Sequence, residues 1–151
     1  MIAIDEFKNK ITKKSRLIGL DLGSKRIGIA ICDDKQSIAT PFKTIQKDTF
    51  NKLIDELKLI IKSNNIDGII VGHPINMDGS EGPSAQSVKD IFKNIAKNID
   101  IPACLWDERL STVGAFNLSS ELDINVSKRE KEIDKFAATF ILQGALDFLQ
   151  N

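Results

Sequence analysis

The run from Leu17 to Asp33, LIGLDLGSKRIGIAICD, constrains this chain most, because it sets one carboxylate, Asp21, in an apolar strand pattern just before a glycine hairpin. Leu17, Ile18 and Leu20 suit a central strand covered on both faces, where Asp is rare unless something holds its charge. A divalent cation would hold it. Gly23 with Ser24 supplies turn chemistry, and Ile27, Gly28, Ile29, Ala30 and Ile31 read as a second strand returning beside the first. Gly23 and Gly28 also leave room for a phosphate backbone to come close. Asp before Gly is equally at home capping a tight turn, so the hairpin alone leaves both readings open.

With 151 residues the chain can bury a core without staples. We expect a basic arm over residues 1–15 and one domain over 16–151. Its 21 basic and 21 acidic residues cancel, so any nucleic-acid surface must be a local patch. The charge is unevenly spread: residues 1–50 hold ten Lys/Arg against six Asp/Glu, and residues 101–151 hold five against eight. Cys32 and Cys104 sit in apolar runs and read as buried free thiols of a reducing compartment. The first residues are acidic without a long apolar stretch, which excludes a secretory signal, and nothing reaches membrane-span length. A cytoplasmic protein is expected.

Lys8, Lys10, Lys13, Lys14 and Arg16 make the leading arm basic, and it reads as a solvated, partly disordered terminus. Ile38 to Ile45 can form a third strand, interrupted near Pro41 and therefore placed at an edge. Phe50, Leu53, Ile54, Leu57, Ile60 and Ile61 then recur at helical spacing, with Asn64 and Asn65 as an ending. Gly68 to Gly72 is an all-apolar strand of the parallel type. The loop from His73 to Ser84 leads into a helix marked by Val88, Ile91, Phe92, Ile95 and Ile99, followed by a fifth strand from Ala103 to Trp106. Ser111 is placed to cap a short helix through Phe116 and Leu118, Ser119 to Lys131 reads as a polar mobile loop, and Glu132 to Leu149 as a packed terminal helix. The order predicts an α/β fold with a mixed sheet, and ligands of such sheets gather at the carboxyl ends of the parallel strands. Asp21, the His73 loop and Glu108 all fall at those ends.

Asp134 supplies a third carboxylate. Ala137 and Ala138, three and four residues on, are small enough to let its helix approach the sheet. Alone, Asp134 reads as an ion-pair partner; beside Asp21 and Glu108 it reads as a metal ligand. Oxygen donors without Cys suit Mg²⁺ or Mn²⁺ and disfavour zinc. A pair of such ions would stabilise the attacking and leaving oxygens of a phosphodiester, so hydrolysis of that bond is the expected chemistry. Arg26, Arg109 and Lys128 or Arg129 are candidate phosphate clamps, and Asn76 with its loop is a candidate backbone contact. Each of these basic residues also fits a plain surface charge. His73 reads as a hydrogen-bonded structural histidine, and Trp106 as core packing beneath the site.

LIGLDLGSKRIGIAICD, IIVGHPINMDGSEGPSAQ, LWDERLST and IDKFAATFILQGALDFL, in this order and over nearly the whole chain after the arm, resemble the YqgF or RuvX-like family. That family belongs to the ribonuclease H-like superfamily, which includes Holliday junction resolvases. The resemblance implies a five-stranded mixed sheet flanked by helices on both faces, and a bacterial cytoplasmic nuclease that matures the 5′ end of 16S ribosomal RNA. It places acidic residues at Asp21, Glu108 and Asp134, with Asp107 as an extra or substitute ligand. His73 departs from the pattern, where an apolar residue is expected between Gly72 and Pro74.

Three functions compete: a metal-dependent endonuclease on structured ribosomal precursor RNA, a resolvase of branched DNA with the same chemistry, and a non-catalytic nucleic-acid-binding ribosome-assembly factor. The sequence leaves the choice of RNA or DNA open, along with monomer or homodimer. LDLGSKRIGIAI also looks like the phosphate-binding hairpin of actin-like ATPases, but one domain of this length lacks their second wall.

Overall fold

Apolar runs of β-branched residues become strands here, and amphipathic runs with caps become helices around them. The computed structural model describes residues 3–110 and 126–150, with side chains over 3–110 and 136–150. Strands β1 (Arg16–Leu22), β2 (Arg26–Cys32) and β3 (Ala39–Gln46) form the antiparallel meander that the hairpin glycines predict. Helix α2 (Phe50–Asn64) leads to β4 (Ile66–His73), and α3 (Pro83–Asn98) leads to β5 (Ala103–Asp107). A short 3-10 turn, Glu108–Leu110, follows β5, and α4 (Val126–Gln150) closes the described chain. The sheet order is β3-β2-β1-β4-β5, with β4 parallel to both β1 and β5.

The third strand is the edge that Pro41 predicts. Its register with β2 shifts where Ala30 faces Pro41 and Ile29 faces Lys43, because proline cannot donate to the ladder. Helix α2 begins where the Thr49 hydroxyl accepts from the Lys52 N–H at 3.3 Å, and it stops at Asn65 in the left-handed region, φ 54°.

Alternation along the strands divides the core in two. Ile18, Leu20, Ile69 and Val71 pack against Leu57 of α2 and Phe92 and Ile95 of α3. On the other face Leu17, Ile70, Cys104 and Trp106 meet Ala138, Ile141, Leu142 and Leu146 of α4. Both cysteines are free and buried; the Leu17 N–H donates to Cys32 Sγ at 3.1 Å, and burial pushes the Cys104 thiol up to about 12. No helix among the described residues is long and apolar enough to cross a membrane.

Two expectations change. The basic segment ahead of β1 is ordered in part: Ile4–Lys10 form helix α1, and Phe7 is fully buried against Leu17 and the bare backbone of Gly68. The turn that follows is fixed by Gln36, whose Nε2 donates to the carbonyls of Thr12 and Ser15 at 2.6 and 2.7 Å. A charged segment with a single aromatic anchor escaped the reading of composition. Phe7→Ala is expected to cost about 3–5 kcal/mol of stability, checked by urea unfolding. The terminal helix also starts earlier than Glu132, at Val126, because Lys, Arg and Glu are good helix formers even where no apolar periodicity marks them. The short helix expected after Ser111 and the polar segment up to residue 125 lie outside the described residues.

Candidate active site at the carboxyl end of the sheet

β1 carries Asp21 to its last turn of pleat, opposite Gly28 of β2 and on the same strand face as Leu17 and Gly19. That face is the one α4 covers, and Asp21 stays half-buried at its rim. The chain then reverses at Gly23, whose N–H donates to the Asp21 carbonyl at 3.1 Å. A Cβ at Gly23 would lie 2.5 Å from the Arg26 carbonyl oxygen, so this turn accepts no side chain.

Glu108 arrives from β5, the edge strand beyond β4. β5 ends at Asp107, and the 3-10 turn folds the Glu108 side chain over β4, where a Cβ on Gly72 would sit 3.3 Å from its carboxyl carbon and 2.4 Å from Ile141 Cδ1. Gly72 is thus the notch in which Glu108 lies against α4. Burial, then the charge of Asp21, then that of Asp107 push the Glu108 carboxyl up to about 7. The charge of Asp21 is therefore felt at the Glu108 carboxyl.

Asp134 belongs to α4, but its side chain lies outside the described residues, as do those of Lys128 and Arg129. The helix backbone still fixes a direction. Gln150 Nε2 donates to the Gln36 carbonyl, beside the Ser15 carbonyl that Gln36 holds at the amino end of β1, while Ala138 and Leu142 lie on Gly19. Going back from Ala138 to residue 134 is four residues, roughly 6 Å, toward the carboxyl end. Going from Gly19 to Asp21 is roughly 6.6 Å the same way.

The remaining candidates occupy other places. Asp107, the expected extra ligand, is gripped by Arg109: Nε donates to both carboxylate oxygens at 3.1 and 3.0 Å, and Nη2 to Oδ2 at 2.7 Å. That pairing holds Asp107 below the usual carboxylate range. Arg109 also reaches the loop after β4, where its Nη1 lies 3.7 Å from a Cβ built on Gly79. The Asn76 amide is engaged inside this loop, donating to the Ser80 hydroxyl at 3.0 Å while the Asn76 and Ser80 backbones pair. Arg26 opens β2, paired in register with Gln46 on the side away from β4. The structure thus brings Asp21 and Glu108 together and leaves Arg26 and Asn76 in neighbouring segments.

His73 is buried, as a structural histidine should be, but its Nε2 makes no hydrogen bond and faces Glu81 Oε1 at 3.5 Å. Trp106 packs in the core as expected, edge-on to Phe148 with ring centres 5.8 Å apart, beneath Gly144. The parts that sequence reasoning missed are the notch at Gly72 and the helix seat at Gly19. Both were visible only as glycines inside strands.

A family model described as "RuvX: Holliday junction resolvase" matches residues 15–148. The chain belongs to the RuvX family. A protein of Pelagibacter ubique (strain HTCC1062) named "Putative pre-16S rRNA nuclease" is 72% identical over 151 residues, covering 100% of both chains. One of the same name from Rhodobacter capsulatus is 43% identical and spans 97% of this chain and 92% of its own. Among solved structures, T. thermophilus RuvC bound to a Holliday junction substrate aligns with a TM-score of 0.54 at 9% identity, over 84% of this chain and 91% of its own. The yeast mitochondrial Holliday junction resolvase aligns at 0.51 and 13% identity, over 97% of this chain and 84% of its own. These likenesses establish the ribonuclease H-like fold of this RuvX family member; the two solved structures carry nothing further at such identity.

Proposed function

We propose that this protein is a divalent-metal-dependent nuclease that hydrolyses phosphodiester bonds near the 5′ end of a 16S ribosomal RNA precursor. The observation that carries the reading is the meeting of Asp21 with Glu108 at the carboxyl ends of β1 and β5, with Glu108 pushed up to about 7. Two carboxylates kept together against their charge fit a hard cation, and the donors are all oxygen, which suits Mg²⁺ or Mn²⁺. Among the described residues no third His, Cys, Asp or Glu joins them. Asp134 is the residue whose place on α4 supports it as the third ligand.

When bound, the metal would draw charge off the phosphodiester and its leaving oxygen. The chain supplies the rest. Asp21 and Glu108 would hold the cation at the carboxyl ends of β1 and β5. Arg109, Lys128 and Arg129 stand as phosphate contacts, Arg109 only by loosening its grip on Asp107. Arg26 and Asn76 would meet the flanking strand. The ribosomal substrate is supported by the names of the relatives. Precursor particles in the cytoplasm are the setting we propose, with a monomer or homodimer as the working unit.

Cleavage of a precursor RNA spanning the 16S 5′ end, in competition with a four-way DNA junction at fixed salt and with Mg²⁺ or Mn²⁺, tests this reading. We expect the RNA to be cut in preference. Preferential cutting of the junction would move the same chemistry to branched DNA, the reading favoured by the family's description. Cutting of neither by folded, metal-supplied protein would leave a non-catalytic assembly role.

A further inference from the structure

A cavity of about 490 Å³ lies on the face of the sheet that α2 and α3 cover, opposite the carboxylates but at the same end. It begins at Gly23, two residues beyond Asp21, so the two places are separated only by the rim of the β1–β2 turn. Leu22, Ile27, Ile45, Phe50 and Leu53 make its apolar lining. Lys43, Lys47 and Lys52 stand around it with Glu56 and Asp48. Lys43 pairs with Glu56 and Lys52 with Asp48, so three lysines against two carboxylates leave one positive charge, that of Lys47. The amino end of α2 opens into the same space and has no acidic residue in its first turn.

We propose that this cavity is a nucleotide subsite that takes an unpaired base of the substrate strand beside the scissile phosphate, with Lys47 on the adjoining phosphate. The assignment rests on the nuclease reading for its substrate. Its volume falls in the range of small-ligand pockets, which run from about 300 to 1,000 Å³. An apolar slot with one half-buried aromatic ring accepts the face of any base, and the surplus positive charge at its mouth matches the phosphodiester on either side. A strand lying over the β1–β2 turn would run from this slot to the carboxylates. Neither a neutral peptide nor a lipid tail would use the lysines and the helix end together.

Binding can be read without cleavage by using the Asp21→Asn protein and a short single-stranded RNA. Amide NMR shifts should concentrate at residues 22–23 and 45–53. The same RNA carrying abasic residues should bind roughly tenfold more weakly, because base stacking is lost. Ile45→Trp, which fills the cavity from the exposed edge strand, should lose a similar factor with an unchanged Tm, and Lys47→Glu should weaken binding and flatten its salt dependence. Equal affinity for abasic RNA, or shifts confined to other segments, would overturn the proposal. So would a nucleoside monophosphate that shifts these amides while the RNA does not, since that marks a free-nucleotide site. Failure of the nuclease reading is separate: native protein that cuts nothing while RNA bases still fill the cavity keeps this subsite and loses the chemistry.

Discussion

Glu108→Gln is expected to lower metal-dependent cleavage by at least about 100-fold while making the metal-free protein more stable at neutral and alkaline pH. The activity figure follows from metal sites in which even the partners of ligands cost 10–100-fold, so that a direct ligand costs no less. The stability gain follows from the raised carboxyl. Glu108 titrates at about 7 in the fold against 4.5 as a free side chain. Between those values the folded chain holds a proton that the unfolded chain has released, so stability falls as pH rises through this window and stays low above it. Allowing for the part of the carboxyl that meets solvent, the loss is about 2 kcal/mol. Glutamine removes it, and thermal unfolding in a chelator at about pH 5 and about pH 8 should show a pH-dependent native protein and a flatter variant. Asp21→Asn should abolish cleavage equally and return part of the same stability, since the Asp21 charge is the second cause of the shift. A buried ion-pair partner would behave in the opposite way, losing stability on neutralisation. Saturating Mg²⁺ should narrow the gap between native protein and variant, because it stabilises only the chain that binds it.

Gly19→Val is expected to lower both the stability of the fold and the cleavage activity per folded molecule. A Cβ at this position would lie 2.7 Å from Leu142 Cβ and 3.1 Å from the Ala138 carbonyl oxygen, atoms close to the helix axis that cannot turn away. The helix must lift from β1, at a cost of about 1–3 kcal/mol for the overpacking. Because residue 134 rides on the same helix one turn nearer the site, cleavage should fall further than the loss of folded protein explains. Activity measured at a temperature where both proteins are fully folded separates the two effects. Loss of stability with unaltered activity per folded molecule would show that the α4 seat does not position the site.

Much of the fold was legible because its signals are local. The edge strand followed from Pro41, the end of α2 from Asn65, and the parallel strand from the GIIVG run. The order of elements, together with the motifs that resemble the RuvX-like family, gave the mixed sheet and the end at which to look. The α1 helix was missed because one buried phenylalanine among charged residues leaves no periodicity, and the first turns of α4 because charged helix formers look like loop. At the site, Asp21 and Glu108 stood out as carboxylates following apolar strands, with Asp107 beside them as an extra or substitute ligand. The fork of Arg109, which engages it, depends on a rotamer that a residue string does not encode.

The sequence by itself determined the five strands, the helices α2 and α3, the family they belong to, and which three carboxylates to consider. Only the tertiary structure decided that Glu108 lies in a notch at Gly72 within reach of Asp21, that α4 rests on Gly19, and that a basic-rimmed cavity backs onto the Gly23 turn. The physical reason is separation along the chain. Periodicity, caps and turns are fixed by neighbours a few residues apart, whereas the depth of a helix on a sheet and the charge felt by a carboxyl are set by atoms brought together from distant segments.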